Sequence, residues 1–425
     1  MATTIAWGRS MRALRSRNYR LFFAGQSVSL IGTWMTRLAT SWIVYQLTDS
    51  AFLLGLTSFV GQIPAFFVTP IAGVWLDRWN RHHVLVITQV LAMTQSLALA
   101  ALAFTGSINL WWVIGLALCQ GLINAFDMPA RQAFVIEMIE ERADLGNAIA
   151  LNSSMVNGAK LVGPAVAGMI IATAGAGVCF LIDGVSYIAV IWCLLAMRVT
   201  GTVPRAAEKG AFQELAEGWK YVVQSPAIRS ILMLLALVSV VGMPYTVLMP
   251  VVAVDILHGG AHTLGFLVGM SGVGAFASAI ALVLRKSVIG LGKRIAISAG
   301  VFGIGLVFLG ISRSLPISLL LMTVTGFGMM QQMAASNTIL QTIAADDKRG
   351  RVMSFYTLAI LGMNPIGSLV AGAVAARIGV PATMIWAGAI CLAGSLRFYW
   401  KLPEIRAVIR PIYRELGILP EVAEG

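Results

Sequence analysis

Residues 51–105 read AFLLGLTSFVGQIPAFFVTPIAGVWLDRWNRHHVLVITQVLAMTQSLALAALAFT. Two apolar stretches, residues 51–76 and 84–105, flank a short turn that contains Asp77, Arg78 and Arg81. Each stretch is long enough to cross about 30 Å of hydrocarbon as a helix. Because a backbone exposed to lipid must satisfy its own hydrogen bonds, the stretch predicts two membrane-spanning helices joined by a charged turn.

The same pattern extends along the chain. Of the 425 residues, 58% are hydrophobic and only 11% are charged, whereas soluble domains carry about 25% charged residues. We therefore predict an all-α membrane protein with twelve transmembrane helices in two pseudo-symmetric six-helix bundles. The predicted spans are residues 19–46, 51–76, 84–105, 110–130, 145–172, 178–197, 227–254, 263–284, 294–312, 315–337, 350–377 and 381–401.

Lys and Arg are distributed unevenly between the loops on the two sides of the membrane. Most of them lie in the loops that enter odd-numbered spans and leave even-numbered ones, whereas Arg313 and Arg377 lie in the opposite loops. The positive-inside rule then places both termini in the cytoplasm. The formal charge of +12 is explained by this topology and by contact with anionic membrane lipid, so we expect no nucleic-acid partner. The predicted divisions are a basic cytoplasmic N-terminus (1–18), an N-terminal bundle (19–197), a cytoplasmic linker with an amphipathic helix (198–226), a C-terminal bundle (227–401) and a cytoplasmic tail (402–425).

The two bundles share a glycine pattern. At a separation of about 204 residues, Gly158 matches Gly362 and Gly163 matches Gly367, and Gly146 and Gly168 have counterparts at the same separation. The first and seventh spans begin alike, with Ser16 and Arg20 resembling Ser225 and Arg229 at a separation of about 209 residues. A duplicated six-span unit is typical of secondary transporters, in which the substrate path lies between the repeats.

Three charged residues lie well inside predicted spans: Arg37, Lys160 and Asp183. Inserting a charged side chain at the centre of a membrane helix costs about 3 kcal/mol or more unless the charge is paired or hydrated. We expect Asp183 to pair with Arg37 or Lys160, either around a water-filled cavity or in a buried structural network. Polar side chains at helical spacing favour the cavity, and the candidates besides the three charges are Gln26, Thr33, Gln62, Gln120, Asn124 and Asn157.

Metal, cofactor and nucleotide chemistry are not indicated. The four cysteines lie in apolar segments without paired spacing, and Gly259 and Gly260 lie between His258 and His262, which favours loop histidines over a helical metal site. No phosphate-binding Gly-rich loop with Lys-Ser or Lys-Thr occurs, so we expect no cofactor, and the energy for transport would come from an ion gradient.

The turn GVWLDRWNRHH, residues 73–83, resembles the loop signature of the major facilitator superfamily. The resemblance implies a cytoplasmic gate that uses Gly73, Asp77, Arg78 and Arg81. It also gives Asp127, beside Arg131, as the acidic partner of the second arginine. The alternative is a solvated positive-inside turn.

A second motif, Gly158 followed by GPAVAG at 163–168, resembles the glycine-proline signature of exporters in this superfamily. It implies a hinge or seal built from Gly158, Gly163, Pro164 and Gly168. Together with SRNYRLFFAGQSVSLIGTW near the start and NAFDMPARQAF after the fourth span, these motifs resemble the bacterial enterobactin-exporter-like branch over residues 16–400. This resemblance implies a location in the inner membrane of a bacterial cell. The fourth span lacks the arginine of many proton-driven members, and the first lacks the acidic drug-antiporter signature.

From these features we expect a secondary transporter rather than an enzyme. It would export a small organic molecule (siderophore-like, drug-like or an amphipathic anion) by alternating access and proton antiport, with Asp183 as the coupling carboxylate. A proton-coupled importer and a lysolipid transporter are the alternatives within transport. A membrane-embedded enzyme would need an acid–base or metal constellation, and a sensor would need a signalling domain.

Overall fold

The computed structural model describes residues 11–76, 78–198, 211–285, 287–415 and 417, and this part of the chain is built of helices. The first half contains α1 (Arg17–Thr48), α2 (Ala51–Leu76), α3 (Arg81–Phe104), α4 (Leu110–Glu137), α5 (Leu145–Ala174) and α6 (Ala176–Leu195). The second half contains α7 (Ala211–Gln224), α8 (Pro226–Ile256), α9 (Ala261–Val283), α10 (Leu291–Ile311), α11 (Leu315–Ile343), α12 (Arg349–Ile378), α13 (Val380–Trp400) and α14 (Leu402–Glu415).

Eleven helices in the described residues are long and apolar enough to cross a membrane. Helix α1, which has 32 residues, is long enough to be the twelfth, but polar side chains such as Gln26 and Arg37 lower its mean hydropathy. Counted by length, α1–α6 and α8–α13 correspond to the twelve predicted spans. The predicted all-helical membrane fold is therefore confirmed, with helix ends that differ from the predicted ones by a few residues.

The described residues form two compact units. The first contains the residues up to 198 together with Met249–Gly272, and the second contains residues 211–248 and those from Val273 onwards. The sequence pattern predicts the segment Met249–Gly272 in the C-terminal bundle, but it packs with the first unit. The division of the chain into two halves otherwise stays a prediction.

Small residues set the packing of α1 against α6 in the first unit. A Cβ atom on Gly25 would lie 3.2 Å from Cα of Val190, and one on Gly32 would lie 2.9 Å from Cα of Asp183. Because lipid provides no hydrophobic force between helices, close backbone contacts of this kind hold the spans together. At the start of α1 the buried Tyr19 hydroxyl donates a 2.8 Å hydrogen bond to the Ala148 carbonyl of α5.

The second unit uses the same device between α10 and α13. A Cβ atom on Gly303 would lie 2.7 Å from the Gly388 carbonyl, and one on Gly310 would lie 2.7 Å from the Pro381 carbonyl. Ser395 donates a 2.6 Å hydrogen bond to the Ala296 carbonyl across the same pair of helices. These helices therefore cross at backbone contact distance along most of their length.

The predicted internal repeat is visible in how each unit packs. Gly163 of α5 meets α1, where an added Cβ would lie 3.0 Å from the Ile31 carbonyl. Gly367 of α12 meets α8, where an added Cβ would clash with the Val240 carbonyl. Gly163 and Gly367 are repeat equivalents, and so are Ile31 and Val240 at the separation of about 209 residues. Each unit thus contains the same glycine-to-carbonyl crossing.

Helices α8 and α12 depart from regular α geometry. Helix α8 contains π turns at Val238–Gly242 and Val252–Ile256 with a 3-10 segment, Met243–Leu248, between them, and α12 contains a π turn at Leu358–Gly362. Pro244 and Pro250 contribute to this in α8, because proline has no N–H to donate and clashes with the preceding turn. Such irregular turns in membrane helices are often associated with function.

Two amphipathic helices flank the spans of the second unit. Helix α7 lies within the predicted linker, and its Glu217 accepts a 2.7 Å ion-pair contact from Arg351. Helix α14 buries Leu402, Ile405, Ile409 and Tyr413, while Arg410 on its other side is exposed.

Candidate functional site

Among the acids of the first unit that the structure describes, Asp183 is the most deeply buried, with 1% of its surface exposed. Its Oδ2 atom accepts a 2.7 Å hydrogen bond from the Ser96 hydroxyl of α3. Thr33 and Thr36 of α1 face the same carboxylate. Gly32 makes this approach possible, because a Cβ there would lie 2.8 Å from Oδ1 of Asp183. The carboxylate is therefore held where α1, α3 and α6 meet.

Arg37 and Lys160 converge on one aromatic ring. The Cζ atom of Arg37 lies 4.8 Å from the centroid of the Trp34 ring. The Nζ atom of Lys160 lies 5.7 Å from the same centroid. The two distances limit the separation of the charged atoms to about 10.5 Å. Trp34 stabilises both cations through its ring quadrupole.

The predicted ion pair of Asp183 with Arg37 or Lys160 is wrong. Among the described residues no nitrogen of either cation lies within 4.0 Å of the carboxylate, although the charges of Arg37 and Asp183 are close enough to interact. The reason is geometric: Asp183 packs against the Gly32 surface of α1, whereas the exposed side chain of Arg37 turns onto Trp34. Sequence reasoning missed Trp34, because an aromatic residue in an apolar span gives no distinguishing signal.

The other predicted cavity residues form bonds mainly along their own helices. Gln62 donates a 2.8 Å hydrogen bond to the Ser58 hydroxyl of α2, Gln120 donates one of 3.1 Å to Asn124 within α4, and Asn157 donates one of 2.8 Å to the Ser153 carbonyl of α5. Gln26 is buried. Thr33 differs, since its hydroxyl also lies 3.4 Å from the Tyr187 hydroxyl of α6.

Around the predicted gate, Gly73 lies in α2, Asp77 lies outside the described residues, and Arg78 is exposed. Arg81 binds Glu137 at the end of α4, with 2.8 Å between Nη1 and Oε1. Glu137, which the resemblance did not provide, therefore takes the place expected for Asp127.

Asp127 instead belongs to a buried network of its own. It accepts hydrogen bonds of 2.7 Å from Gln89 and 3.0 Å from Thr88, both on α3. It also forms an ion pair with Arg131 one turn later in α4. This network fixes α3 against α4.

The glycine-proline segment of α5 makes two close helix contacts. Gly163 lies against α1, where an added Cβ would be 2.6 Å from Cβ of Trp34. Gly168 lies against α9, where an added Cβ would be 2.7 Å from Cα of Gly265, and a Cβ on Gly265 would be 2.7 Å from the Pro164 carbonyl. Gly158 faces open space. The segment therefore packs at backbone contact distance against two helices at Gly163 and Gly168.

A further link in the first unit joins the ends of α1 and α8. The buried Tyr45 hydroxyl donates a 2.6 Å hydrogen bond to Oδ2 of Asp255. Asp255 lies in the second π turn of α8, which sequence reasoning did not predict. The link lies in the same unit as the contact between Gly168 and Gly265.

The helical fold, the internal repeat and the charged residues inside the spans define a multi-pass secondary transporter of the major facilitator type. The chain belongs to the family described as transmembrane secretion effector, whose profile matches residues 9–414. The predicted membership in the major facilitator superfamily is confirmed.

Three relatives match almost the whole chain. The staphyloferrin A transporter of Staphylococcus aureus is 25% identical over 90% of this chain and 95% of its own length. The multidrug efflux pump Tap of Mycobacterium tuberculosis is 27% identical over 94% of this chain and 93% of its own. The macrolide efflux protein A of Streptococcus pyogenes is 23% identical over 88% and 95%, respectively.

Solved structures share the fold. A POT family transporter in complex with 5-aminolevulinic acid has a TM-score of 0.73 at 11% identity, covering 92% of this chain and 97% of that one. A bacterial homolog of the lysosomal transporter Spinster has a TM-score of 0.64 at 14% identity, covering 96% and 99%. At these identities the likeness concerns the fold alone.

Proposed function

We propose that the protein exports a small organic molecule across the bacterial inner membrane by alternating access, driven by protons that move inward. The names of the related efflux pumps support export. The proposed substrates are siderophore-like or drug-like compounds or amphipathic anions. Both termini are proposed to lie in the cytoplasm, as the distribution of Lys and Arg indicates.

The observation that carries the coupling proposal is the environment of Asp183. It is a carboxylate inside a span, almost fully buried and hydrogen-bonded to the Ser96 hydroxyl, and no cation of the described residues lies within ion-pair distance. An intramembrane acid is a candidate proton carrier by default, because its charged form is costly there. Asp183 would take up and release the transported proton as its surroundings change.

Arg37 and Lys160 are proposed to hold the substrate. Neither has a carboxylate partner among the described residues, and both lie over the indole of Trp34. Cations that form no close ion pair favour an acidic group on the ligand, and the ring offers a surface for an apolar body. The residues Arg78, Arg81, Asp127 and Arg131 remain a proposed gate, and the segment from Gly163 to Gly168 a proposed seal.

The direction of transport can be tested in cells. Accumulation of siderophores, dyes and antibiotics would be compared with and without the chain. Lower accumulation with the chain present is expected, whereas higher accumulation would indicate uptake and overturn the export proposal.

Coupling is tested with Asp183→Asn in liposomes that contain a pH-sensitive dye. A gradient of an exported substrate should drive proton movement with the unaltered chain, and this signal should fall to that of empty liposomes in the variant. Asp144→Asn is the matched control, because Asp144 is also buried but pairs with Arg12 at 3.3 Å. Undiminished proton movement in a folded Asp183→Asn variant would remove Asp183 from the mechanism.

A further inference from the structure

A concave pocket of about 460 Å³ lies beside the turn between α2 and α3. It belongs wholly to the first unit and is remote in sequence from the residues proposed to hold substrate. Its lining combines polar side chains with apolar ones, and the residues are Arg78, Trp79, Asn80, His83, Val84 and Ile87.

The pocket contains an exposed arginine. The side chain of Arg78 is exposed and has no ion-pair partner among the described residues. Its neighbour Arg81 is neutralised by Glu137 at 2.8 Å. The Asn80 amide oxygen accepts hydrogen bonds from the backbone N–H groups of His82 and His83. Arg78 provides the positive charge for an acidic ligand, and the exposed His83 can donate a further hydrogen bond.

Exposed tryptophans place the pocket at the level of lipid headgroups. Trp75 and Trp79 are 45% and 48% exposed, and their rings lie 5.5 Å apart. Tryptophans concentrate at the boundary between hydrocarbon and water, where the amphipathic ring fits best. The pocket is thus positioned beside a membrane surface rather than in open solvent.

An apolar strip of α3 continues from the pocket towards the centre of the helix. Ile87 is 58% exposed and Leu91, one turn further on, is 49% exposed, with Val90 beside them. In a membrane these side chains contact acyl chains. A polar, positively charged pocket that continues into an apolar strip matches the shape of a phospholipid.

We infer that this pocket binds one anionic phospholipid of the cytoplasmic leaflet, with its phosphate held by Arg78 and His83 and an acyl chain along Ile87 and Leu91. The ligand is structural or regulatory and is distinct from the transported molecule. Anionic lipid is the favoured occupant because the cytoplasmic leaflet attracts basic residues near its surface. The site stands whether or not Asp183 carries protons.

The test uses the full chain reconstituted in nanodiscs of phosphatidylcholine that contain phosphatidylglycerol. Native mass spectrometry counts the phosphatidylglycerol molecules that stay bound when the protein is released. Arg78→Gln should lower this retention about fivefold, the effect expected of one basic residue at an anionic surface. The control is Arg410→Gln on α14, an exposed arginine outside the pocket, which should leave the retained lipid unchanged.

Two further measurements keep the outcome decisive. The thermal unfolding midpoint of Arg78→Gln is compared with that of the unaltered chain, and the combined variant with His83→Gln is measured in parallel. Equal loss of lipid in Arg410→Gln, or full retention in the combined variant, would overturn the inference. Displacement of the lipid by inorganic phosphate alone would show a site for free phosphate instead.

Discussion

The hydroxyl of Tyr45 donates a 2.6 Å hydrogen bond to Asp255 and joins the last turn of α1 to the last turn of α8. Tyr45 is only 3% exposed, so this bond to a carboxylate is shielded on one side from water. A hydrogen bond to a charged group contributes about 1.5–3 kcal/mol. The bond is therefore strong enough to influence how often these helix ends separate.

Tyr45→Phe should increase the frequency of that separation. The reporter is Thr263→Cys, placed at a residue that is 2% exposed in α9 of the same unit, in a background where the exposed Cys119 is replaced by Ala. Labelling of the introduced thiol by a water-soluble reagent should become about tenfold faster. Thr48→Val is the control, because the Thr48 hydroxyl binds only its own helix. An unchanged labelling rate in Tyr45→Phe would contradict a restraining role for the bond.

Adding one methyl group at Gly163 should destabilise the first unit. In Gly163→Ala the new Cβ would lie 2.6 Å from Cβ of Trp34, and overpacking of this kind costs about 1–3 kcal/mol. Gly158→Ala, in the same helix with no atom within 4 Å of the added Cβ, should be neutral or gain up to about 1 kcal/mol from helix propensity. Thermal unfolding in detergent checks both. Equal midpoints for the two variants would show that α1 can move aside freely.

The indole of Trp34 should matter for acidic substrates. Trp34→Ala removes the ring that both Arg37 and Lys160 contact, and cation–π contacts are worth about 0.5–2 kcal/mol. The apparent affinity for an exported acid should fall about fivefold, while Trp34→Phe should retain most of it. Efflux of an acidic dye and of a neutral dye is the measurement. An equal decrease for the two dyes would point to a general packing defect instead of charge recognition.

Arg81 and Glu137 should tolerate an exchange of their charges between the two positions. Both side chains are largely buried, with 20% and 17% exposed, so Arg81→Glu or Glu137→Arg alone leaves like charges together. Each single change should lower the unfolding midpoint, and the double exchange should recover much of the loss. A double-mutant cycle gives the coupling energy. A coupling energy of zero would show that the pair is incidental.

The membrane helices could be predicted because their cause is local. An apolar stretch of roughly 20 residues can satisfy its backbone in lipid only as a helix. Arg37 and Asp183 illustrate the opposite case. Their depths are readable from sequence, but the direction in which each side chain turns depends on Gly32 and Trp34, which the pattern of polarity does not reveal. The irregular turns of α8 were likewise hidden, because they arise from packing and from two prolines within one apolar run.

The acidic partner of Arg81 shows a similar limit. Asp127 and Glu137 both lie on α4 and are both acidic, and the choice between them depends on which turn of α4 meets the start of α3. That meeting point is set by the helix crossing, and Thr88 and Gln89 already occupy Asp127. A family motif provides the residue types, but it does not show which turn of α4 meets the start of α3.

The repeated helix crossing limits which substitutions the chain can accept. In it Gly163 packs against Ile31, and Gly367 packs against Val240. Each glycine meets a main-chain oxygen of the opposing helix, which no replacement elsewhere can shrink, and Gly163 also meets Cβ of Trp34, which every residue except glycine carries. A larger residue at either position therefore has no simple suppressor in the opposing helix, unlike a clash between two side chains. A variant at either site could regain stability only if a whole helix shifted. Laboratory evolution should therefore retain both glycines while neighbouring residues change.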